Sequence, residues 1–225
     1  MPNSNKNITK KISIIAPFFN ECESLPFFYR EIIKTINQIN QYEFELIFID
    51  DGSTDKSLKY LLDIARKDTK INIIELSRNF GKEAALTAGI DVSIGDAIIP
   101  IDVDLQDPPS LILKFIKKWE DKNDVVLARR SDRKKDPIFK RVSASFFYKI
   151  HGLLIGNKNL SNVGDCRLID RKVVESIKLL KEKNRYMKGL LSWPGFNIAE
   201  VSYVREKRVA GKTKFNFFQL FTLSF

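Results

Sequence analysis

"DAIIPIDVDLQDPP" (residues 96–109) runs from an apolar stretch into three aspartates and stops at two prolines. The apolar part reads as a short strand. Proline interrupts a strand ladder but suits the first turn of a helix, so the aspartates fall where a strand hands over to a helix. The same grammar recurs on either side. Strand-like runs at 12–18, 44–50, 71–77, 96–102 and 124–129 alternate with helix-like stretches near 24–40, 55–68, 82–93 and 109–122. Near-continuous apolar strands with helix-length crossovers predict an α/β fold, a mostly parallel sheet with helices on both faces. Ligands of such sheets bind beyond the carboxyl ends of the strands. The chemistry therefore belongs to "PFFNE", "DDGSTD" and "DVDLQD", which follow strands one, two and four.

Composition agrees with a folded chain. Of 225 residues 44% are hydrophobic and 29% charged, enough for one sizeable core. Two cysteines far apart, Cys22 and Cys166, and a polar start, "MPNSNKNITKK", favour a reducing, cytoplasmic compartment. The net charge of +10 is unevenly spread: residues 1–128 hold 16 Lys and Arg against 20 Asp and Glu, and residues 129–225 hold 22 against 8. A basic half suits nucleic acid, an anionic membrane surface or a phosphorylated substrate. Its arginines, among them Arg129, Arg130, Arg133, Arg141, Arg167, Arg205 and Arg208, are forked donors suited to phosphate. Without a zinc finger, RNP motif or recognition-helix array, nucleic acid is set aside. No stretch reaches the ~20 apolar residues that span a bilayer. The last eleven residues, "FNFFQLFTLSF", nevertheless read as the start of an amphipathic or membrane-embedded element.

Asp102 and Asp104 alternate across Val103, so both carboxylates can point the same way near the strand end. With the amide oxygen of Gln106 they make a hard-oxygen set suited to Mg2+ or Mn2+, although an Asp-x-Asp doublet also occurs as loop carboxylates facing water. Asp107, before Pro108 and Pro109, is expected to cap the next helix. In "DDGSTD" Asp50 and Asp51 close a strand at the ligand edge. They can accept from a base imide or a ribose hydroxyl, while Asp-Gly also serves as a plain turn, with Ser53 or Asp55 as a cap.

In this order the motifs "APFFNE", "DDGSTD", "LSRNFGKEAALTAG", "DVDLQDPP", "ARRSDR", "GDCRLIDRKV", "RYMKGLLSWPGF" and "VREKRVAGKTKF" resemble the inverting family two glycosyltransferases of the Rossmann-like GT-A fold, in particular the polyprenyl-phosphate sugar transferases. They span residues 12–215. Phe19 stands for the common tyrosine and Cys166 for the usual aromatic. The resemblance implies transfer of a sugar from a nucleotide sugar to a polyprenyl phosphate at the cytoplasmic membrane face. It favours UDP-glucose or a UDP-N-acetylhexosamine over GDP-mannose.

The resemblance also implies residue roles. Asp51 reads the base, Pro17 and Phe19 line its pocket, Glu21 and Arg78 shape the loops around the nucleotide, and Lys82 joins the nucleotide-binding set. Asp102, Asp104 and Gln106 match the metal and diphosphate motif. Asp165, the carboxylate near the acceptor, and Asp104 are the catalytic candidates. Arg129, Arg141, Arg205 and Arg208 are assigned to the acceptor phosphate. His151, Trp119 and Trp193 are read as packing. The expected organisation is a frayed 1–10, a catalytic domain at 11–204 with nucleotide-sugar (11–128) and acceptor (129–204) halves, and a basic, aromatic membrane-proximal segment at 205–225, in which Lys212 and Lys214 bring charge to headgroups and Phe215, Phe217, Phe218 and Phe221 enter the apolar boundary. A homo-oligomer is left open. Three rivals are weighed. A dehalogenase-type phosphatase would carry its Asp-x-Asp on an early strand, and a processive polysaccharide synthase would add Gln-x-x-Arg-Trp. A noncatalytic membrane-binding module would leave the acidic loops idle.

Overall fold

A computed structural model describes residues 10–131, 163–179 and 196–210. Within them seven strands form one sheet: β1 (Lys11–Phe18), β2 (Glu43–Asp50), β3 (Ile71–Glu75), β4 (Ala97–Pro100), β5 (Val125–Arg130), β6 (Val163–Asp170) and β7 (Ile198–Tyr203). The helices are α1 (Leu25–Ile36), α2 (Ser57–Ala65), α3 (Lys82–Val92), α4 (Leu111–Glu120) and α5 (Arg171–Lys178). Strand order is β3-β2-β1-β4-β6-β5-β7. Every pair is parallel except those made by β6, which runs antiparallel to both β4 and β5.

Alternation along the strands divides the apolar residues between the two faces. Ile12, Ile14 and Phe18 of β1 and Leu46 and Phe48 of β2 meet α1, α2 and α4 through Phe28, Ile32, Leu61 and Phe115. Ile15, Ile47, Ile49 and Ile98 face the other way, onto Ala85, Leu86 and Ile90 of α3 and Val173, Val174 and Ile177 of α5. Helices on both faces thus agree with the expectation from sequence. Trp119 packs as expected, buried with its indole N–H donating to Asp170 at 2.6 Å.

Three local expectations are corrected. The apolar run after residue 96 is a strand only to Pro100, so Asp102, Asp104 and Asp107 all belong to the loop beyond it. Asp107 does not cap α4; Ser110 holds that position, because the buried Asp107 carboxylate accepts from the Tyr203 hydroxyl instead. The stretch containing "GDCRLID" is a strand that the loosened pattern did not reveal. Arg141, His151, Lys212, Lys214, Trp193, residues 1–9 of the segment expected to fray at 1–10, and the phenylalanines beyond residue 210 lie outside the described residues. Among the described residues no helix is long and apolar enough to cross a membrane.

Candidate active site

The carboxyl edge of the sheet is built from loops tied to one another by short polar contacts. After β1, Asn20 adopts φ 52° and its side-chain oxygen accepts from the backbone N–H groups of Thr54 and Asp55 at 2.7 and 3.2 Å. After β2, Asp50 accepts from Ser53 N–H at 2.8 Å, closing the turn that Gly52 makes with φ 71°. A side chain at Gly52 would come within 2.5 Å of the Arg78 carbonyl carbon, so glycine lets this turn press against the next loop. Asp51, buried, holds that loop directly: its two oxygens accept from Phe80 N–H at 2.7 Å and Gly81 N–H at 3.0 Å. Arg78 lies over the Phe80 ring at 4.7 Å and is exposed. Asp55 supports the start of α2 by accepting from Ser57 N–H at 2.9 Å, whereas the Ser53 hydroxyl accepts from Asn20 N–H at 2.8 Å. Pro17 is buried in β1 and Phe19 half-buried just beyond it.

The acidic loop faces these turns. Leu105 takes φ 59°, and Asp104 accepts from Gln106 N–H at 3.0 Å, which turns the loop back on itself. Lys82, the first residue of α3, reaches Asp102 at 2.6 Å and Asp165 at 2.8 Å. It thereby joins the end of β4 to the start of β6. Burial works against the Lys82 charge, but the two carboxylates outweigh it and raise its pKa above the ordinary lysine value. Burial also raises the Asp102 carboxyl; Lys82 opposes this, and the like charges of Asp165 and Asp104 add to it.

The segment after β7 lies along the same loop. Arg208 is 3.1 Å from Asp104 and 3.5 Å from Glu21, which also accepts from the Ser24 hydroxyl at 2.7 Å. Arg205 donates to the Gln106 side-chain oxygen, and Glu206 N–H donates to the Gln106 carbonyl at 3.1 Å. Every residue of the expected metal set therefore has a basic partner: Lys82 on Asp102, Arg208 on Asp104 and Arg205 on Gln106. The donor atoms are hard oxygens, as Mg2+ or Mn2+ requires. Among the described residues no group of three or more His, Cys, Asp or Glu is gathered tightly enough to hold a metal ion. A cation here would take its remaining ligands from water or substrate, which is how Mg2+ is commonly bound.

The two arginines that end β5 diverge. Arg129 pairs with Glu200 of β7. Arg130 lies in the electrostatic field of Asp107 and Asp165, and its Nε donates to the Tyr203 hydroxyl oxygen at 3.2 Å. Arg129 is the one of the two expected at the site from sequence; strand alternation sends adjacent side chains to opposite faces. The register of β5 on β6 also slips between Leu127 and Arg129, which hides the phase. Asp165 is one-third exposed beside Lys82, and the buried Arg167 donates to the carbonyls of Asp165 and Gly164, both at 3.1 Å.

Comparison with known proteins identifies the family and the fold. The family described as "Glycosyl transferase family 2" matches residues 13–178. The chain is 48% identical to the "Prophage bactoprenol glucosyl transferase homolog" of Escherichia coli (strain K12), over 95% of this chain and 70% of that protein. It is also 48% identical to the "Bactoprenol glucosyl transferase" of Shigella phage SfX, with the same coverage. Among solved structures, a mannosyltransferase from Pyrobaculum calidifontis in complex with GDP-Man and Mn2+ has a TM-score of 0.64 at 15% identity, covering 91% of this chain and 58% of that one. Glucosyl-3-phosphoglycerate synthase from Mycobacterium tuberculosis, in complex with Mn2+ and UDP-glucose, has a TM-score of 0.63 at 17% identity, covering 96% and 75%. These two share the GT-A fold.

Proposed function

The chain belongs to glycosyl transferase family 2, and from that premise we propose that it transfers a hexose from UDP-glucose or a UDP-N-acetylhexosamine to a polyprenyl phosphate of the bactoprenol type at the cytoplasmic membrane face. The observation that carries this reading is the Lys82 bridge. It brings the carboxylate of the acidic loop, Asp102, and the carboxylate of the acceptor half, Asp165, to within 2.8 Å of one ammonium group, so donor and acceptor chemistry share one edge. The relatives named bactoprenol glucosyl transferase support the lipid phosphate and glucose over GDP-mannose.

The base pocket is assigned to Pro17, Phe19 and Asp51, with Asp51 acting through the Phe80–Gly81 backbone it holds. Glu21 and Arg78 frame the adjoining loops. Asp102, Asp104 and Gln106 would hold a Mg2+ or Mn2+ ion, which supplies Lewis-acid stabilisation of the departing nucleoside diphosphate. Lys82, already at these carboxylates, adds a donor for diphosphate oxygens once it exchanges partners. The acceptor needs little activation, since a phosphate monoester has its second pKa at about 6 and is largely dianionic near neutrality. Asp165 accordingly orients the acceptor side, and attack from the face opposite the leaving group inverts the anomeric carbon. Arg130 joins Arg205 and Arg208 as an acceptor-phosphate contact, in preference to Arg129. The segment from residue 205 onward is assigned to an anionic membrane surface, where each basic residue adds about 1 kcal/mol.

Incubation with radiolabelled nucleotide sugars and polyprenyl phosphate, with and without EDTA, tests the reading. Lipid-linked hexose from UDP-glucose or a UDP-N-acetylhexosamine, lost with EDTA, is expected. Product from GDP-mannose alone would move the donor to mannose, and no lipid-linked sugar from any donor would overturn the proposal.

A further inference from the structure

Tyr203 ends β7 with its ring buried at 5% exposed, yet its hydroxyl is not simply a satisfied core group. It donates to Asp107 and, through its oxygen, accepts from Nε of Arg130. Four separate elements converge there: the loop after β4 brings Asp107, β5 brings Arg130, β7 brings Tyr203, and β6 passes beside them at Gly164. A methyl group at Gly164 would lie 2.8 Å from the Tyr203 hydroxyl oxygen and 3.6 Å from Asp107, so glycine keeps open the space that the hydroxyl occupies. The next residue is Asp165.

We propose that Tyr203 is a positioning residue that, backed by Asp107, fixes the Arg130 guanidinium for the acceptor phosphate. This rests on the function proposed above and on Arg130 as an acceptor contact. A buried tyrosine is satisfied by one partner, and the Asp107 carboxylate already supplies it. Because the hydroxyl proton is committed to Asp107, the oxygen lone pairs are presented to Arg130. Burial, reinforced by the Asp107 charge, raises the Tyr203 pKa above the ordinary phenol value, so the hydroxyl keeps its proton throughout the working range. Among the described residues the Nε contact is the one hydrogen bond of the Arg130 side chain, which leaves its two terminal nitrogens as a fork. Anchoring Nε restricts the rotation of a long side chain and pre-orients that fork for two oxygens of a phosphate.

The test is kinetic, with the full chain in neutral detergent and polyprenyl phosphate as the varied substrate. Tyr203→Phe keeps the ring and removes both hydrogen bonds. It is expected to raise the acceptor KM about tenfold, the effect of one charge-assisted hydrogen bond, with kcat and the Kd for UDP changed less than about twofold. Arg130→Gln is expected to raise the acceptor KM further, and the double variant to be no worse than Arg130→Gln alone, since Tyr203 acts only through Arg130. A lowered Tm with an unchanged acceptor KM in Tyr203→Phe, beside a raised KM in Arg130→Gln, would reduce Tyr203 to packing and overturn the inference. An unchanged KM in Arg130→Gln would instead remove Arg130 from the acceptor site. Should Tyr203→Phe not fold, Asp107→Asn replaces it: a neutral acceptor is expected to raise the same KM about threefold, and an unchanged KM overturns the relay.

Discussion

Glu45 and Asp104 are almost equally buried, at 8% and 9% exposed, yet they stand at opposite ends of the sheet and hold different kinds of partner. At the amino end, Glu45 accepts from the Ser13 hydroxyl at 2.5 Å and from Ile94 N–H at 2.9 Å. The same hydroxyl accepts from Gly95 N–H at 2.9 Å, and Arg171 donates to the Gly95 carbonyl at 2.7 Å. At the carboxyl end, Asp104 accepts from its own loop at Gln106 and is paired with the tip of Arg208. Backbone donors are fixed by the fold, whereas a guanidinium on a long side chain can give way to another cation without unfolding anything. Burial alone therefore does not separate the two carboxylates; the freedom of the partner to exchange does. Asp51 makes the same point, because although it lies at the carboxyl end, backbone N–H groups hold both its oxygens and its first effect is to set a loop.

The sharpest separation of the two ends comes from Asp104→Asn. The amide still accepts from Gln106 but lacks the anionic charge, so transfer is expected to fall by about a hundredfold or more, with Tm moving by less than about 2 °C. Normal turnover at limiting Mn2+ would remove Asp104 from the cation-binding set. Glu45→Ala should do the reverse. It leaves Ile94 N–H and the Ser13 hydroxyl without their acceptor, a loss of about 1–3 kcal/mol, while kcat/KM per folded molecule stays unchanged. Thermal unfolding run alongside initial rates checks this, and a fall in kcat/KM without a Tm shift would break the comparison.

The smallest effect concerns alkaline pH. Tyr29 and Tyr42 are each pushed up to about 12, by burial first and then by Asp68 and Glu120, to which their hydroxyls donate. Asp68 follows α2 and Glu120 ends α4, so both contacts brace helix ends that lead into the amino ends of the next strands. Their folded pKa lies above the unfolded value of about 10. The stability these two groups contribute is therefore fully present below pH 10 and is lost as pH rises through 12. Urea midpoints that fall from pH 10 to 12, together with phenolate absorbance in the same window, are expected. A midpoint flat across that window would show that these hydroxyls do not brace the amino end.

Much of β1, β2 and β4 was legible in sequence because these strands are buried on both faces and read as continuous apolar runs, as in "FELIFID". The acidic loop was legible because carboxylates rarely crowd a strand end without a reason. β6 was not, since Asp165, Arg167 and Asp170 interrupt its apolar pattern, and Asp165 emerged only through resemblance. Pairing across long separations was also hidden: Arg208 meets Asp104 from a distance of 104 residues, and only the folded chain brings them together. Tyr203 read as a strand residue because its ring packs in the core, while its oxygen belongs to the polar network.

The antiparallel course of β6 has an evolutionary consequence. The chain leaves the sheet just after Arg130 and returns at Val163, and Arg129 is the register partner of Val163, so departure and return are neighbouring sites on the same edge. The connection from β5 to β6 therefore begins and ends at one point of the sheet. A change in the length of that connection leaves the pairing of Arg129 with Val163 where it is. Changes of length can therefore enter at one seam while the parallel run β3-β2-β1-β4 keeps its order.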